Sequence, residues 1–250
     1  MELENRIVYG PLWSRRFGWD LGINLLPTDR KLCVLDCVYC QYGFSPRLDN
    51  RRTRFPNVRD VIREWKQQLD HARSIGAPLK HTTVSGNGEP TMHPHFAEIA
   101  AGLVDYRNAH APEVRLAVLS NGYRIHDPAI RKALESFNEP VIKFDSAIPA
   151  KYEQLDQPQY AFNLPRLIQD LQGFKKLQLQ TMFVKGWNDG AEDLREWRKA
   201  LGAIQPQLVQ IYTIARDTAV PGLCALSSKA LNRIAHETTA IVNVPVKAYF

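Results

Sequence analysis

The 250-residue chain contains no apolar run approaching the roughly 20 residues that cross a bilayer and no low-complexity tract. Its start, Met-Glu-Leu-Glu-Asn-Arg, lacks the basic-then-apolar order of a secretory leader. No membrane-spanning helix is expected, and the expected location is the cytoplasm. No linker rich in Gly, Ser or Pro divides the sequence and no internal repeat is visible, so residues 1–250 read as a single domain. Acidic residues are the minority charge, 26 against 32 Lys and Arg, and the net +6 favours anionic partners without demanding them. With 44% hydrophobic and 23% charged residues the composition is that of a globular chain, not a disordered, collagenous or coiled-coil one.

What is present is an alternation of two periodicities. Apolar residues at helical spacing follow capping residues: Asn57 before Val58, Val61, Ile62, Trp65, Leu69 and Ala72, with Gly76 beyond the end; His95 before Phe96, Ile99, Ala100 and Leu103; Asp127-Pro128 before Ile130, Ala133 and Leu134. Further helices are predicted over 163–174 and 190–202, and a last one from Ser227 or Ser228. Between them lie β-rich runs at 21–26, 80–85, 114–120, 141–146, 177–184 and 208–215. Six βα units with short connections imply an α/β fold with a mostly parallel sheet, either an open doubly wound sheet or an incomplete barrel. Asn87, Glu89, Ser120, Asn121, Asp145 and Arg216 all fall at or just after strand ends, the edge where such folds place their sites.

Cysteine is scarce, four in all, yet three fall within eight residues: Cys33, Cys37 and Cys40, with Cys224 far away. A disulfide framework is not built that way in a chain with ample core. The spacing brings three thiolates into one loop, enough to bind an inorganic centre while leaving one metal position open. A zinc site completed by a distant His or by Cys224 stays as an alternative.

The sequence Cys33-Val-Leu-Asp-Cys37-Val-Tyr-Cys40, with an aromatic before the last cysteine, resembles the cluster loop of the radical S-adenosylmethionine (radical SAM) superfamily. Ser85-Gly86-Asn87-Gly88-Glu89-Pro90 is similar to that family's Gly-Gly-Glu motif, Leu119-Ser120-Asn121-Gly122 to a Thr-Asn-Gly element, and Lys143-Phe144-Asp145-Ser146, more loosely, to a Lys-Leu-Asp-Ala element. Tyr9-Gly10-Pro11-Leu12-Trp13-Ser14-Arg15-Arg16-Phe17-Gly18 resembles the opening of a subfamily of iron–sulfur oxidoreductases grouped with the wyosine-base synthases of transfer RNA. The resemblance implies a partial (β/α)6 TIM-like barrel and a [4Fe-4S] cluster on Cys33, Cys37 and Cys40. It also implies S-adenosyl-L-methionine held by Gly86, Asn87, Gly88, Glu89, Ser120, Asn121, Lys143 and Asp145. The chemistry implied is reductive cleavage of S-adenosylmethionine to a 5′-deoxyadenosyl radical that abstracts hydrogen from a polar or anionic substrate, fed by an electron donor such as flavodoxin or ferredoxin. A second cluster, as in the wyosine-forming enzymes, needs more cysteines than the one left over, so wyosine synthesis itself does not fit.

The substrate stays open. Transfer RNA modification is one version; chemistry on a small molecule or peptide, such as epimerisation, is another; a non-catalytic iron–sulfur protein that binds S-adenosylmethionine is the alternative from a different class. Segment 11–54 holds eight basic residues, Arg15, Arg16, Arg30, Lys31, Arg47, Arg51, Arg52 and Arg54, against four acidic ones. It reads either as a surface for phosphates or an acidic donor, or as a solvated face with local ion pairs. Trp13, Phe17 and Trp19 read as core packing, and His93 and His95 as surface residues. Cys224, in the loop after the sixth strand, is a candidate hydrogen-atom donor to a substrate radical, weighed against a small hydrophobe packed under the last helix.

Overall fold

The computed structural model describes residues 2–46 and 53–250. Its framework is one eight-stranded sheet: β1 (Val8–Ser14), β2 (Gly18–Ile23), β3 (His81–Val84), β4 (Arg115–Ser120), β5 (Glu139–Lys143), β6 (Gln178–Phe183), β7 (Leu208–Thr213) and β8 (Val246–Tyr249). Neighbours in the sheet are neighbours in sequence throughout, β1 pairs antiparallel with β2, and every later pair is parallel. An order that never reverses has no topological switch point, so the doubly wound alternative falls. The sheet curls instead into a half-barrel, with β1 and β8 as its two edges.

Each crossover carries a helix. These are α1 (Val58–Ser74), α2 (Phe96–His110), α3 (Pro128–Ser136), the pair α4 (Pro149–Asp156) and α5 (Leu164–Leu171), α6 (Ala191–Ile204) and α7 (Ser228–Val242). Side-chain caps hold the starts the sequence signalled: Asn57 accepts from Asp60 N–H, Asp127 from Ala129 and Ile130 N–H, Asn163 from Arg166 N–H and Ser227 from Ala230 N–H. The helices bury their apolar stripes on the outer face of the sheet, in a core whose largest enclosed side chains are Trp65, Phe96, Phe137, Phe144, Tyr152, Phe183 and Trp197.

Three elements exceed the six βα units read from sequence: β1, α4 and β8. Trp13 and Trp19, expected in the core, face each other across the β1–β2 hairpin as an edge-to-face pair, with Trp13 67% exposed. Only Phe17 turns inward. It plugs the floor of the barrel against Ala117, Val141 and Leu119. His93, expected at the surface, is buried: its Nε2–H donates to Pro56 C=O at 2.8 Å and its Nδ1 accepts from His95 N–H at 3.0 Å.

Candidate active site

The cysteine-bearing part of the stretch between β2 and α1, residues 31–43, lacks periodicity because other segments pin it. Leu32 N–H donates to Asn87 C=O and Glu89 N–H to Leu32 C=O, at 2.8 and 3.0 Å, so the start of the cysteine loop lies alongside the glycine-rich loop like an added strand. Gly88 makes this approach possible: a Cβ there would sit 1.9 Å from the Leu32 carbonyl oxygen. Farther on, Asp36 and Val38 N–H donate to Asp156 and Leu155 carbonyls at the end of α4, and Gln159 N–H donates back to Val34 C=O. The loop is thus clamped between the ends of β3 and α4.

This clamp presents Cys33, Cys37 and Cys40 to one cavity of about 730 Å³, shared with Gly86, Gly88, Glu89, Ser120, Asn121 and Lys143. Cys33 and Cys37 are buried and Cys40 is half-buried. Leu35 N–H and the Asn121 Nδ2–H point at Cys33 Sγ from 3.5 and 3.6 Å. Burial pushes the Cys33 thiol up to about 12, against the pull of Lys31, and raises Cys37 as well, against the pull of Lys143. Such thiols stay protonated unless a metal takes the proton's place. Lys31, itself buried, donates to Gly43 C=O at 2.7 Å and lies 3.6 Å from Asp36. Burial works against its charge, yet the three cysteine sulfurs in their thiolate form, together with Asp36, outweigh that and hold its pKa above the usual lysine value. Three sulfurs on one cavity, N–H donors aimed at sulfur and a buried cation beside them fit a cluster of net negative charge. Among the described residues no three His, Cys, Asp or Glu side chains gather closely enough to hold a single ion.

Glu89 joins the glycine loop to the end of β4. Its Oε1 accepts from Thr91 N–H, Thr91 Oγ1–H and Ser120 Oγ–H at 3.0, 2.6 and 2.8 Å, and its Oε2 from Asn121 N–H at 2.6 Å. Burial raises its pKa although all four bonds favour the carboxylate. Asn87 and Asp145, grouped with the cofactor residues by sequence, do not line the cavity wall. Asn87 is consumed in holding the N-terminal segment, accepting from Glu4 N–H and donating to the carbonyls of Glu4 and Pro27. Asp145 is buried behind Lys143, where its carboxylate accepts from Lys143 Nζ, Tyr39 Oη–H and Met182 N–H.

Lys143 bridges Asp145 and Asp156 at the base of this wall, with Nζ 5.1 Å from the centre of the Tyr39 ring. Its burial opposes the charge, but the two carboxylates hold its pKa well above the ordinary value. Asp156, which the sequence reading missed, sits at the end of the unrecognised helix α4 and faces the same charge cluster; burial raises its own pKa. A Pro-initiated segment ending in Asp was the available signal.

Cys224 lies elsewhere. The loop is drawn back on the sheet by the Val184–Ala225 bridge and by Leu226 N–H on Thr213 Oγ1, which turns Leu226 inward. The Cys224 thiol is exposed and does not line the cavity, so neither the hydrogen-donor position nor the buried-hydrophobe position describes it. Of the basic stretch, Arg47, Arg51 and Arg52 lie outside the described residues. Lys31 serves the cysteine loop, Arg30 pairs with Asp29 at the surface, and Arg15 and Arg16 reach the cavity from the β1–β2 turn.

A half-barrel of parallel strands with a three-cysteine loop over the C-terminal strand ends defines a cofactor-dependent α/β enzyme. The sequence model of the Radical SAM superfamily matches residues 31–162, and the chain belongs to that superfamily. A UPF0026 protein of Helicobacter pylori strain J99 is 30% identical over 220 residues, 85% of this chain and 68% of that one. Another, from Synechocystis, is 24% identical over 96% of this chain and 95% of its own length. Among solved structures, a radical SAM methyltransferase from Sphaerobacter thermophilus superposes with a TM-score of 0.69 at 17% identity, over 92% of this chain and 65% of that one. TYW1 with a lysine–pyruvate adduct bound gives 0.61 at 13%, over 90% and 75%. The chain therefore spans about two thirds of the length of several of these relatives. These structural likenesses concern the fold. Among the described residues no helix is long and apolar enough to cross a membrane.

Proposed function

We propose that this radical SAM enzyme binds a [4Fe-4S] cluster on Cys33, Cys37 and Cys40 and cleaves S-adenosylmethionine reductively to act on a polar or anionic substrate. The observation that carries this reading is that the three cysteines and the Gly86–Glu89 and Ser120–Asn121 segments, separate in sequence, border one cavity. When bound, the cluster supplies the electron that breaks the cofactor's carbon–sulfur bond, releasing a 5′-deoxyadenosyl radical able to take a hydrogen atom from a substrate. The chain's own residues bind, orient and exclude water. The backbone at Gly86 and Gly88 lets the methionine end approach closely, Asn121 steadies Cys33, and Glu89 fixes Ser120 and Asn121 relative to the glycine loop. Lys143 lies at the wall, with Asp145 as a positioning residue behind it.

Residues 1–250 act on this reading as one domain, in the cytoplasm, with flavodoxin or ferredoxin as electron donor. Transfer RNA and a small molecule or peptide both remain substrate classes. SuiB, solved bound to its precursor peptide SuiA, is a fold neighbour on the peptide side of that choice. Single-turnover incubation of anaerobically reconstituted protein with dithionite and S-adenosylmethionine tests the reading. Formation of 5′-deoxyadenosine by wild type and none by Cys37→Ala is expected; binding of S-adenosylmethionine without cleavage would instead make the chain a non-catalytic binding protein.

A further inference from the structure

The cavity runs from the cysteines at the strand ends toward the floor made by Phe17, and its lower end holds a pair of opposite charges that are not matched to each other. Asp20, on β2, is 5% exposed; its Oδ2 accepts from Thr83 Oγ1–H at 2.7 Å, while its buried Oδ1 has no hydrogen-bond partner. Arg16 reaches into the same cavity from the β1–β2 turn. It gives one N–H to Gln180 Oε1 at 2.7 Å and lies over the rings of Phe17 and Tyr212 at 5.5 and 5.4 Å. Among the described residues the guanidinium's contacts are Gln180 and these two rings, and Asp20 acts on it only as a charge, not as a hydrogen-bond partner. Burial shifts both groups toward their neutral forms, Asp20 upward and Arg16 downward, and outweighs the attraction between the two charges.

A buried carboxylate oxygen without a hydrogen-bond partner is expensive, and so is a half-buried guanidinium without an ion-pair partner, unless a ligand on the same cavity supplies the missing halves. A ligand that matches both has an ammonium and a carboxylate at one end. Resting on the function proposed above, we infer that the lower cavity is the substrate-recognition site and takes the zwitterionic head of a free amino acid, its ammonium on Asp20 and its carboxylate on Arg16. The carbon to be attacked would then project from the floor toward the cysteines. Thr83 and Gln180 act as positioning residues, each holding the neighbouring charge in its rotamer.

The test uses anaerobically reconstituted protein with S-adenosylmethionine bound, and the probes are the free L-amino acids, one by one, with their N-acetyl and C-amide forms. Binding is read as a concentration-dependent rise in Tm. At least one free amino acid is expected to stabilise wild type, with both blocked forms at least tenfold weaker. Asp20→Asn should abolish the preference for the free amine over its N-acetyl form while keeping that for the acid over its amide; Arg16→Gln should do the reverse. A simple packing defect would not split the two preferences in this way. Blocked forms that bind as well as free ones would overturn the proposal, as would a tenfold loss of S-adenosylmethionine affinity in both variants, which would assign the pair to the cofactor. Wild type that cleaves S-adenosylmethionine yet responds to no amino acid overturns this inference alone; wild type that does not cleave it overturns the underlying reading as well.

Discussion

Asp20 illustrates how a single side chain carries both a stability cost and a site. Burial lifts its pKa from 3.8 to about 6; Thr83, His81 and Arg16 pull it down, and Glu139 pushes it up. Between those two values the folded protein holds a proton that the unfolded chain has released, so wild-type stability falls as pH rises from about 4 to 6, and the loss is complete above that. The whole effect is bounded by about 3 kcal/mol. Asp20→Asn removes the charge but leaves an amide oxygen for Thr83, so urea denaturation between pH 4 and 8 should find the variant more stable at pH 7.5 and level with wild type near pH 4. Stability that runs parallel in the two proteins would disprove the assignment. Glu89 behaves oppositely, because its carboxylate is matched by four donors. Glu89→Gln must turn an NH2 group toward one of them, which costs about 1–3 kcal/mol. It should weaken S-adenosylmethionine binding in equilibrium titration while leaving bound iron unchanged. Of these residues the sequence made Glu89 visible, because it follows Gly-Asn-Gly at a strand end. Asp20 was not, because its role depends on which distant groups face it and no local pattern records that.

At the scale of elements, local signals sufficed wherever a segment stabilises itself. Asn57, Asp127, Asn163 and Ser227 cap their helices because their side-chain oxygens reach the first free N–H groups, an interaction confined to three residues. Replacing Asn57 with Ala should therefore cost about 1 kcal/mol in denaturant unfolding and leave the site intact. The elements that escaped, β1, α4 and β8, are the ones whose stability comes from tertiary partners: β1 and β8 are edge strands, and α4 is eight residues long with Tyr152, Leu155 and Asp156 turned inward. The cysteine loop belongs with them. Apart from the local turns closed by Cys40 N–H on Cys37 C=O and Gly43 N–H on Cys40 C=O, its backbone bonds run to distant residues, among them Asn87, Leu155, Asp156 and Gln159. Gly88→Ala tests this coupling. Gly88 has φ near 138°, and the added Cβ would collide with the Leu32 carbonyl, a backbone atom that cannot step aside. The loop must lift off the glycine strand, so the variant should lose both iron retention and S-adenosylmethionine affinity, whereas Glu89→Gln loses only the latter. Full iron content in Gly88→Ala would show that the loop holds its shape without the glycine strand.

For the molecule as a whole, the decisive fact is which of its four cysteines the fold brings to the cavity. Three lie in one loop clamped between the ends of β3 and α4, near a buried lysine; the fourth lies after β7 with its thiol in solvent, outside the cavity wall. A half-barrel cannot bring that fourth thiol across without breaking the Val184–Ala225 bridge and exposing Leu226, which is buried. Cys224 is thus no substitute for a missing ligand, and a second cluster has no ligand set among the cysteines that remain. Anaerobic reconstitution should give about four irons per chain in wild type and the same in Cys224→Ala. Cys33→Ala, Cys37→Ala and Cys40→Ala should each retain less than half of that, with far-ultraviolet circular dichroism unchanged because the core lies on the other face of the sheet. Lys31→Met belongs to the same experiment: it keeps the three thiols but removes the cation that offsets their charge, so iron should still bind while the reduction potential of the reconstituted protein moves to more negative values. Loss of iron from Cys224→Ala with retention in Cys37→Ala would reverse the assignment, and an unmoved potential in Lys31→Met would confine the lysine to holding the loop through Gly43.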